Sequence, residues 1–490
     1  MYERSEHFIG GKWLPATGTE TLEVISPTTE EVVGRVPIAT SGEVDAAVAA
    51  ARSAFDSGPW PRLSLAERAE HLHRLIDALE ARREEGLQLQ IEEMGATRKF
   101  AVENYNSLRP ALTTMIEDAA KISYRDVRDG VIGKVVVLRE PVGVVAGVTP
   151  WNSPIAVVLS KVLPSLLMGC PIIVKPAPEA PLSACVIADA ALEAGLPEGT
   201  LSIVNGRVNV GAYLVGHPDI DYVTFTGSPG GGRAIGSACA DNLRGVTLEL
   251  GGKSAAVVLP GTDMTPYVSS LVGGSIRNCG QICVSTNRVL VHQDDRDRVV
   301  DLLIDRVSSM KVGDPHDPDT DFGPLAAQRQ REIVERFIAA GVAEGARIAY
   351  GGARPSDQPR GWYVEPTIFV DVDSQMTIAQ EEIFGPVLSV ISYSDLDEAV
   401  AIANDSKYGL GGAVFADDTE QAIAVAARLV TGTVQVNGGP AAGGGGPFAG
   451  RKHSGLGVER AVEGLGSFLQ FKSVALPAGY EPATDRERTR

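Results

Sequence analysis

The chain has 490 residues, of which 44% are hydrophobic and 22% charged, a composition typical of globular proteins. Because one hydrophobic core rarely grows beyond roughly 250–300 residues, we expect two or more domains. The net charge of −18 argues against nucleic acid or an anionic membrane surface as the main partner.

The five cysteines are scattered, and their odd number argues against a disulfide framework. They favour a reducing, cytoplasmic setting. Residues 1–7 are polar and charged and lack the apolar segment of a signal peptide. The sequence contains no run of about 18 apolar residues, so no membrane span is expected.

The first 121 residues indicate a packing layer without concentrated chemistry. A strand and tight turn are predicted over residues 8–13, followed by extended polar sequence. An alanine-rich helix is predicted over 44–55, and a capping-box pattern at Ser64 begins another that runs to about residue 83. Further helix is predicted up to about residue 121.

Residues 122–140 change character. They are rich in β-forming side chains around a turn signal at Asp129-Gly130, which predicts a hairpin. A hairpin that interrupts helices must satisfy its edges elsewhere, so we expect it to pair with another subunit.

From residue 142 onward, short apolar strands alternate with helices. This alternation predicts βαβ units and a parallel sheet covered by helices on both faces. The predicted strands are 142–148, 171–174, 201–204, 222–225 and 246–250, with helices over 155–168 and 182–194. A second α/β domain is predicted from the later runs 255–259, 288–291, 387–393 and 412–415, with a cleft between the two.

Four strand ends in the first of these sheets carry chemically informative residues. They present the amide of Asn152, the ammonium of Lys175, a glycine-rich helix start at 227–232 and the carboxylate of Glu249. Ligands of parallel sheets bind at these ends, so the residues suit an oxyanion donor, an anion site and a general base. Each also has an ordinary alternative, since turns, solvated surfaces and structural pairs use the same residue types.

The stretch 277–283 holds two of the five cysteines, Cys279 and Cys283. Neither stands in zinc-type spacing to His217 or His292, and no metal site is expected. Two interpretations remain open at this point: a thiol nucleophile, or a cysteine packed as a small hydrophobic residue.

Jointly, these residues resemble the NAD(P)-dependent aldehyde dehydrogenase superfamily, over residues 8 to about 474. The matching motifs, in order and spacing, are Asn152, Lys175, Gly227-Ser228, Glu249-Leu250-Gly251-Gly252-Lys253, Gly280-Gln281-Ile282-Cys283, Glu382-Ile383-Phe384-Gly385-Pro386 and Pro447-Phe448. The resemblance implies an α/β fold with two Rossmann-like domains and a small β oligomerisation element. It divides the chain into an NAD(P)-binding domain (1–121 and 141–250), a catalytic domain (251–450) and the oligomerisation element (122–140 and 451–490).

The resemblance also implies an activity, the oxidation of an aldehyde to its acid. Cys283 would attack the aldehyde, Asn152 would stabilise the oxyanion, and Glu249 would activate the water that hydrolyses the thioester. Because relatives that use coenzyme A as acceptor generally lack this glutamate, water is the expected acceptor. The residues implied for NAD, with NADP as an alternative, are Trp151, Lys175, Gly227, Ser228, Glu382 and Phe384.

Two departures from the family pattern affect the cofactor and proton transfer. Pro178 stands where strongly NAD-preferring relatives have an acidic residue, and Glu179 follows one step later. The missing carboxylate removes repulsion against a 2′-phosphate. Gln470 stands where many relatives have a glutamate near the C-terminus, which puts a proton-relay role there in doubt.

The substrate site departs further. Places that are often aromatic in relatives acting on apolar aldehydes hold Ser153, Ser160, Arg277 and Ala442, while Phe448 is retained. Arg277 coincides with a carboxylate-binding arginine of succinate-semialdehyde dehydrogenases, which favours a semialdehyde or other polar aldehyde. The alternative is that Arg277 pairs with a structural acid.

Some hypotheses concern regulation, assembly and rival classes. Cys279, four residues before Cys283, would share a helical face with it and allow a protective disulfide. A homodimer or homotetramer is expected from the oligomerisation element. The rival classes are a cofactor-binding protein without turnover and a cofactor-independent thiol hydrolase.

Overall fold

The computed structural model describes residues 1–439 and 445–480 and contains two large sheets covered by helices. The strands are β1 (Tyr2–Glu3), β2 (Glu6–Ile9), β3 (Lys12–Pro15), β4 (Thr21–Ile25), β5 (Val32–Pro37), β6 (Arg125–Asp129), β7 (Lys134–Pro141), β8 (Val145–Val148), β9 (Ile172–Lys175), β10 (Leu201–Ile203), β11 (Tyr222–Thr226), β12 (Gly245–Glu249), β13 (Ala255–Val258), β14 (Arg288–His292), β15 (Arg347–Tyr350), β16 (Thr367–Val370), β17 (Val387–Tyr393), β18 (Tyr408–Gly409), β19 (Gly412–Phe415), β20 (Gln435–Val436), β21 (Arg451–Lys452), β22 (Gly455–Leu456) and β23 (Leu469–Ala475). The helices are α1 (Ser41–Asp56), α2 (Leu65–Ala81), α3 (Arg83–Met94), α4 (Arg98–Ala120), α5 (Pro154–Leu167), α6 (Leu182–Glu193), α7 (Val208–Gly216), α8 (Pro229–Asp241), α9 (Val268–Ile276), α10 (Arg296–Ser308), α11 (Gln328–Ala343), α12 (Thr377–Gln380), α13 (Leu396–Asn404), α14 (Thr419–Ala426) and α15 (Ala461–Gly466).

The first sheet has the order β22-β12-β11-β8-β9-β10-β2-β3, and its five central strands run parallel. Parallel strands buried on both faces need continuous apolar sequence, and β9 and β10 are buried at every position. The predicted βαβ units are therefore confirmed. The carboxyl ends of β8, β9, β11 and β12 lie along one edge and carry the candidate residues.

The second sheet has the order β15-β16-β17-β14-β13-β19-β20. Its strands β17, β14, β13, β19 and β20 are parallel, as the second α/β alternation predicts. Each sheet has its own large hydrophobic core. The domain boundaries derived from the resemblance stay a prediction.

The predicted hairpin is confirmed as β6 and β7, with its turn at residues 130–133. Its free edge pairs within the same chain, because β23 lies antiparallel to β7 along seven residues. The second partner of β7 is thus β23 of the same chain, and pairing of this sheet with another subunit stays a prediction. Phe471 of β23 is 70% exposed, so this small sheet leaves an apolar side chain in solvent.

Two local expectations differ from the structure. Helix α1 begins at Ser41, three residues before its predicted start, because the Thr40 hydroxyl caps it and accepts a hydrogen bond from the Glu43 amide at 3.3 Å. The polar sequence after residue 13 contains a second antiparallel pair, β4 with β5. The capping box at Ser64 is confirmed.

Two groups of features are absent from residues 1–439 and 445–480. No cluster of three or more His, Cys, Asp or Glu side chains there is arranged to hold a metal ion. No helix in these ranges is long and apolar enough to cross a bilayer.

Candidate active site

The candidate nucleophile follows helix α9 through an irregular turn. The 3₁₀ turn Arg277–Gly280 is interrupted by positive φ angles of 52° at Asn278 and 56° at Cys279. Cys279 therefore does not share a helical face with Cys283, and that expectation is wrong. The buried Cys279 thiol donates to the Gly323 carbonyl at 3.1 Å. The protective disulfide stays a prediction, without support from this backbone geometry.

Glycines allow three motifs to meet around this turn. A Cβ atom at Gly252 would lie 2.5 Å from the Cys283 carbonyl oxygen, and one at Gly280 would lie 2.0 Å from the Gly385 carbonyl oxygen. Real side chains do not tolerate such contacts, so both positions require glycine. The motifs that contain Glu249, Cys283 and Glu382 are consequently held backbone against backbone.

Asn152 follows β8 and is tied to the thiol loop on both sides. Its side-chain amide donates to the Gln281 carbonyl at 2.8 Å, and its own carbonyl accepts from the Asn278 side chain at 2.9 Å. Gln281 is two residues before Cys283. The Asn152 carboxamide that contacts it is therefore well placed to donate to an oxygen that develops negative charge near the thiol. The structure thus brings Asn152 and Cys283 together.

Glu249 ends β12 with a side chain shielded from solvent. It is 3% exposed, and neither carboxylate oxygen has a hydrogen-bond partner among the described residues. Burial, followed by the nearby charge of Glu459, raises the pKa of Glu249 far above its ordinary value. A carboxyl group with a raised pKa and unused oxygens has the properties of a general base.

Two charged residues near Glu249, Lys161 and Glu459, were not predicted from the sequence. Lys161 of helix α5 is 1% exposed, and its ammonium forms an ion pair with Glu459. The hydroxyl of Thr224 donates to the same Glu459 carboxylate at 3.5 Å. A lysine in an otherwise apolar, buried helix was the available signal, because a buried ammonium needs an acidic partner.

Gln470 plays no part in this cluster. It lies on β23 opposite Glu140, with its side chain exposed. The family pattern places a second glutamate at position 470, where this chain has glutamine. The second carboxylate near Glu249 is that of Glu459.

The surroundings of the Cys283 thiol disfavour its ionisation. Burial, with the charges of Glu382 and Glu249, raises the pKa of Cys283 to about 12. The positive charge of Arg460 acts in the opposite direction on both Cys283 and Glu249. The Arg460 guanidinium lies 4.9 Å from the Phe448 ring centroid, so the predicted substrate-site aromatic supports this cation.

The glycine-rich helix start follows β11 and Lys175 ends β9, two strands that flank β8 in the first sheet. Ser228 caps helix α8 by accepting from the Gly231 amide at 3.2 Å, and the Gly227 amide donates to the Glu249 carbonyl at 3.0 Å. A Cβ at Gly227 would lie 2.5 Å from the Phe225 ring. The helix start thus offers free amides to an anion such as a pyrophosphate. Burial lowers the pKa of Lys175 to about 8.

Glu382, whose charge acts on Cys283, and the Phe384 and Trp151 rings form a further part of the candidate site. The Gly252 amide donates to the Glu382 carboxylate at 3.0 Å, and burial raises the pKa of Glu382 to about 7. The Phe384 and Trp151 rings pack edge to face with centroids 5.4 Å apart. Together with Lys175 and the start of helix α8, these groups present an ammonium, a helix N-terminus, a carboxylate and aromatic faces. This set fits a dinucleotide.

Near Lys175, Glu179 is already engaged. Its carboxylate forms an ion pair with Arg329, at the start of helix α11. The carboxylate one step beyond Pro178 is therefore neutralised by a neighbouring cation.

Arg277 is also paired. Its guanidinium lies 2.5 Å from the Glu103 carboxylate and 5.1 Å from the Phe100 ring centroid, both in helix α4. Of the two interpretations left open by the sequence, the structure shows the pair with an acid of the protein. Ala442 lies outside the described residues.

Two α/β sheets with a half-buried thiol, a nearby carboxamide and a carboxylate that has no hydrogen-bond partner among the described residues define a class: dinucleotide-dependent enzymes with a cysteine nucleophile. The model of the aldehyde dehydrogenase family matches residues 13–474, nearly the whole chain. The chain belongs to this family.

Individual relatives agree with this assignment. The chain is similar to a geranial dehydrogenase of Castellaniella defragrans, with 43% identity over 96% of this chain and 98% of the relative. It is 41% identical to a 3-succinoylsemialdehyde-pyridine dehydrogenase of a Pseudomonas species, over 98% of this chain and 100% of the relative. The crystal structure of a Mycobacterium tuberculosis aldehyde dehydrogenase complexed with NAD+ superposes with a TM-score of 0.96 at 43% identity, covering 98% and 100% of the two chains. The predicted family and fold class are confirmed.

Proposed function

We propose that the chain oxidises an aldehyde to its carboxylic acid with NAD+, through an acyl thioester on Cys283. The observation that carries this proposal is the Glu249 carboxylate, which is buried beside the thiol with both oxygens unused by the described residues. The family assignment supports the reaction class. NAD+, when bound, supplies the acceptor for the hydride that leaves the substrate carbon.

Three residues of the chain have separate roles in the first half of the reaction. Glu249 takes the proton of the Cys283 thiol, and the thiolate adds to the aldehyde carbon. The side-chain amide of Asn152 and the backbone amide of Cys283 donate to the resulting oxyanion. After loss of hydride the acyl group is held as a thioester.

Hydrolysis uses the same carboxylate again. Once the thiol proton has passed from Glu249 to solvent, Glu249 accepts a proton from water, the water oxygen adds to the thioester carbon, and the Cys283 sulfur leaves as the thiolate. The Glu459 carboxylate and Lys161 ammonium behind Glu249 offer the proton a route onward through groups that already form an ion pair. This cluster supports water, and not a second thiol, as the acyl acceptor.

For the cofactor we propose NAD+, held by Lys175, Gly227, Ser228, Trp151, Glu382 and Phe384. The M. tuberculosis relative was crystallised with NAD+, which supports this choice. NADP remains the alternative, because Pro178 carries no charge and Arg329 neutralises Glu179.

The deciding experiment measures nicotinamide reduction by the purified chain with a panel of aldehydes, once with NAD+ and once with NADP+. Nicotinamide reduction that requires the aldehyde and yields the carboxylic acid as product supports the proposal. A chain that binds NAD+ without reducing it would be the non-catalytic rival. Ester cleavage in the absence of any nicotinamide, without aldehyde oxidation, would support the thiol hydrolase.

Changing Glu459→Gln is expected to move the acid limb of the pH–rate profile to lower pH. The negative charge of Glu459 raises the pKa of Glu249, so its removal lets Glu249 stay deprotonated in more acidic solution. The plateau rate should fall by about three- to tenfold, because one proton acceptor is lost. The measurement is kcat against pH.

Glu463→Gln, at an exposed position of helix α15, is the matched control and should leave the profile unchanged. An acid limb that stays in place or moves to higher pH in Glu459→Gln would contradict the electrostatic role of Glu459.

Replacing Arg277 tests the semialdehyde hypothesis. Because Arg277 is paired with Glu103, Arg277→Ala is expected to change kcat/KM by less than about threefold, and equally for a semialdehyde and a neutral aldehyde of matched length. Glu103→Gln breaks the same pair from the other side and should behave alike. A loss of at least tenfold confined to the semialdehyde would restore Arg277 as a substrate residue.

Assembly and location complete the proposal. A homodimer or homotetramer is supported by the small sheet β6-β7-β23 with its exposed Phe471. A reducing, cytoplasmic setting is supported by five cysteines that are all free thiols. The proposed partner is a small-molecule aldehyde.

A further inference from the structure

The backbone just before helix α15 adopts a conformation that residues with side chains rarely take. Arg460 has φ 62° and ψ 170°, and Ala461 follows with φ 52°. The Arg460 angles lie in a region that is populated almost entirely by glycine, and holding another residue there costs free energy. Strain of this kind persists where the surrounding structure fixes the backbone, and it is concentrated at functional sites.

Hydrogen bonds fix this backbone on both sides of Arg460. The Glu459 amide donates to the Phe448 carbonyl at 2.7 Å, and the Phe448 amide donates to the Glu459 carbonyl at 2.7 Å. The Arg460 carbonyl accepts from the Gly464 amide at 2.8 Å. A Cβ atom at Gly464 would lie 2.4 Å from the Glu459 carbonyl carbon, so this close approach requires glycine.

The fixed backbone places the Arg460 side chain over an aromatic ring. Its guanidinium carbon lies 4.9 Å from the Phe448 ring centroid, within the range of a cation–π interaction. Arg460 is exposed and lines, together with Glu459, a cavity of about 380 Å³ between helices α4, α5 and α15. The guanidinium therefore borders open space and is not part of a hydrophobic core.

Sheet pairing brings this segment to the candidate site. Strand β22 lies antiparallel to β12, with Gly455 directly opposite Glu249. Arg460 follows shortly after β22, so the strained residue lies near the strand end that carries the candidate base.

Three charged side chains act on the Cys283 thiol. Burial is the main cause that raises its pKa, and the carboxylates of Glu382 and Glu249 add to that effect. Arg460 supplies a positive charge that acts in the opposite direction. The thiol thus has two negative neighbours and one positive neighbour, and the positive one favours the thiolate.

The same guanidinium acts on the candidate base. Burial and then the charge of Glu459 raise the pKa of Glu249, whereas Lys161 and Arg460 act to lower it. Lys161 already forms an ion pair with Glu459. Arg460 is the cation whose charge reaches both the base and the nucleophile.

We propose that Arg460 is a positioning residue of the candidate site, which holds a positive charge near the Cys283 thiol and the Glu249 carboxylate and thereby favours the ionised form of each. The strained backbone is retained because it keeps the guanidinium over Phe448 at the edge of the site. For its effect on turnover this role of Arg460 rests on the proposed function, whereas its effect on the thiol does not.

Alkylation of Cys283 measures the charge at the thiol without any turnover. The neutral reagent iodoacetamide and the anionic reagent iodoacetate are compared at about pH 8, and mass spectrometry follows the modification of Cys283. In Arg460→Met less thiolate forms, so the rate with iodoacetamide should fall about two- to threefold, because a more basic thiolate is also more nucleophilic. Iodoacetate loses its attraction to the guanidinium as well. Since solvent screens an exposed charge, its rate relative to iodoacetamide should fall by about a further threefold.

Three more variants separate the charge from the structure. Arg460→Lys keeps the charge and should stay within about twofold of the wild type with both reagents. Arg460→Gly adopts a φ of 62° without strain, so it removes the charge and still folds; it should match Arg460→Met in both rates and melt at least as high. Arg451→Met removes an exposed positive charge from β21 and should leave both rates unchanged.

Turnover provides a second measurement. Because the charge of Arg460 acts to lower the pKa of Glu249, Arg460→Met is expected to move the acid limb of the kcat–pH profile to higher pH, and Arg460→Lys should restore it. This direction is opposite to that expected for Glu459→Gln, although the two residues are adjacent. A purely structural defect would lower the plateau without moving the limb.

The outcomes are distinct. The same ratio of iodoacetate to iodoacetamide rates in the wild type, Arg460→Met and Arg460→Gly would overturn the inference, as would a loss in Arg460→Lys as large as that in Arg460→Met. An acid limb that stays in place in Arg460→Met would overturn the action on Glu249. A lowered alkylation ratio in Arg460→Met, in a chain that reduces no nicotinamide with any aldehyde, would support the charge at the thiol and refute the proposed function.

Discussion

Glu249→Gln is expected to convert the enzyme into one that oxidises a single equivalent of aldehyde and then stalls. The substitution keeps the shape of a side chain that has no hydrogen-bond partner among the described residues, but it removes the base. Thioester hydrolysis should slow by roughly 10²–10⁴-fold. Rapid mixing should show a burst of nicotinamide reduction of at most one equivalent per active site, followed by a slow steady state.

The fate of the acyl group provides the control. Mass spectrometry of the stalled variant should find the acyl adduct on Cys283, and hydroxylamine should release it. Loss of the burst together with the steady state would show that the first step also depends on Glu249, as the base for the thiol. Full steady-state activity would refute both roles.

The same variant has a stability signature. Because burial raises the folded-state pKa of Glu249 above its unfolded value, the folded state binds this proton more tightly. In the wild type, ionisation of Glu249 therefore costs stability as the pH rises from the unfolded toward the folded pKa. Glu249→Gln should melt at or above the wild-type temperature in mildly alkaline buffer, which separates lost chemistry from lost folding.

Cys283→Ala is expected to lower kcat by about 10⁴-fold or more, since no other group can form the thioester. Binding of NAD+ should be retained, because Lys175 and Ser228 lie on β9 and at the start of α8, in the first sheet and its helical cover. The measurements are steady-state turnover and NAD+ affinity by calorimetry.

Cys279→Ala is the matched control, because this buried thiol donates its hydrogen bond to the Gly323 carbonyl and not to Glu249 or Glu459. It should retain turnover. Substantial aldehyde oxidation by Cys283→Ala, or a collapse of turnover in Cys279→Ala with an intact fold, would move the nucleophile away from Cys283.

Much of the fold followed from local patterns. Strands β17 and β19 have the predicted bounds, and the other predicted strands of the two parallel sheets differ from prediction by one to three residues at an end. Continuous apolar runs between turn residues are enough for this, because a strand buried on both faces must be apolar throughout. The antiparallel pair β4 and β5 was predicted only as extended sequence, although the alternating burial of β4 is the pattern of a half-buried strand.

The candidate site was less evenly predictable. Asn152, Lys175 and Glu249 are recognisable because each stands directly after an apolar strand, and parallel strands bring such ends to one edge. Cys283 is recognisable by its motif. The sequence by itself thus determined which residues are the candidates for the chemistry of this protein.

Only the tertiary structure decided how those residues are charged and what surrounds them. Lys161 and Glu459 form their ion pair across 298 positions of sequence, and Arg277 meets Glu103 from a different helix. Neither pairing has a local pattern, since ion pairs depend on distance in space. For the same reason the cavity of about 380 Å³ that Ser160 lines arises only when helices α4, α5 and α15 pack together.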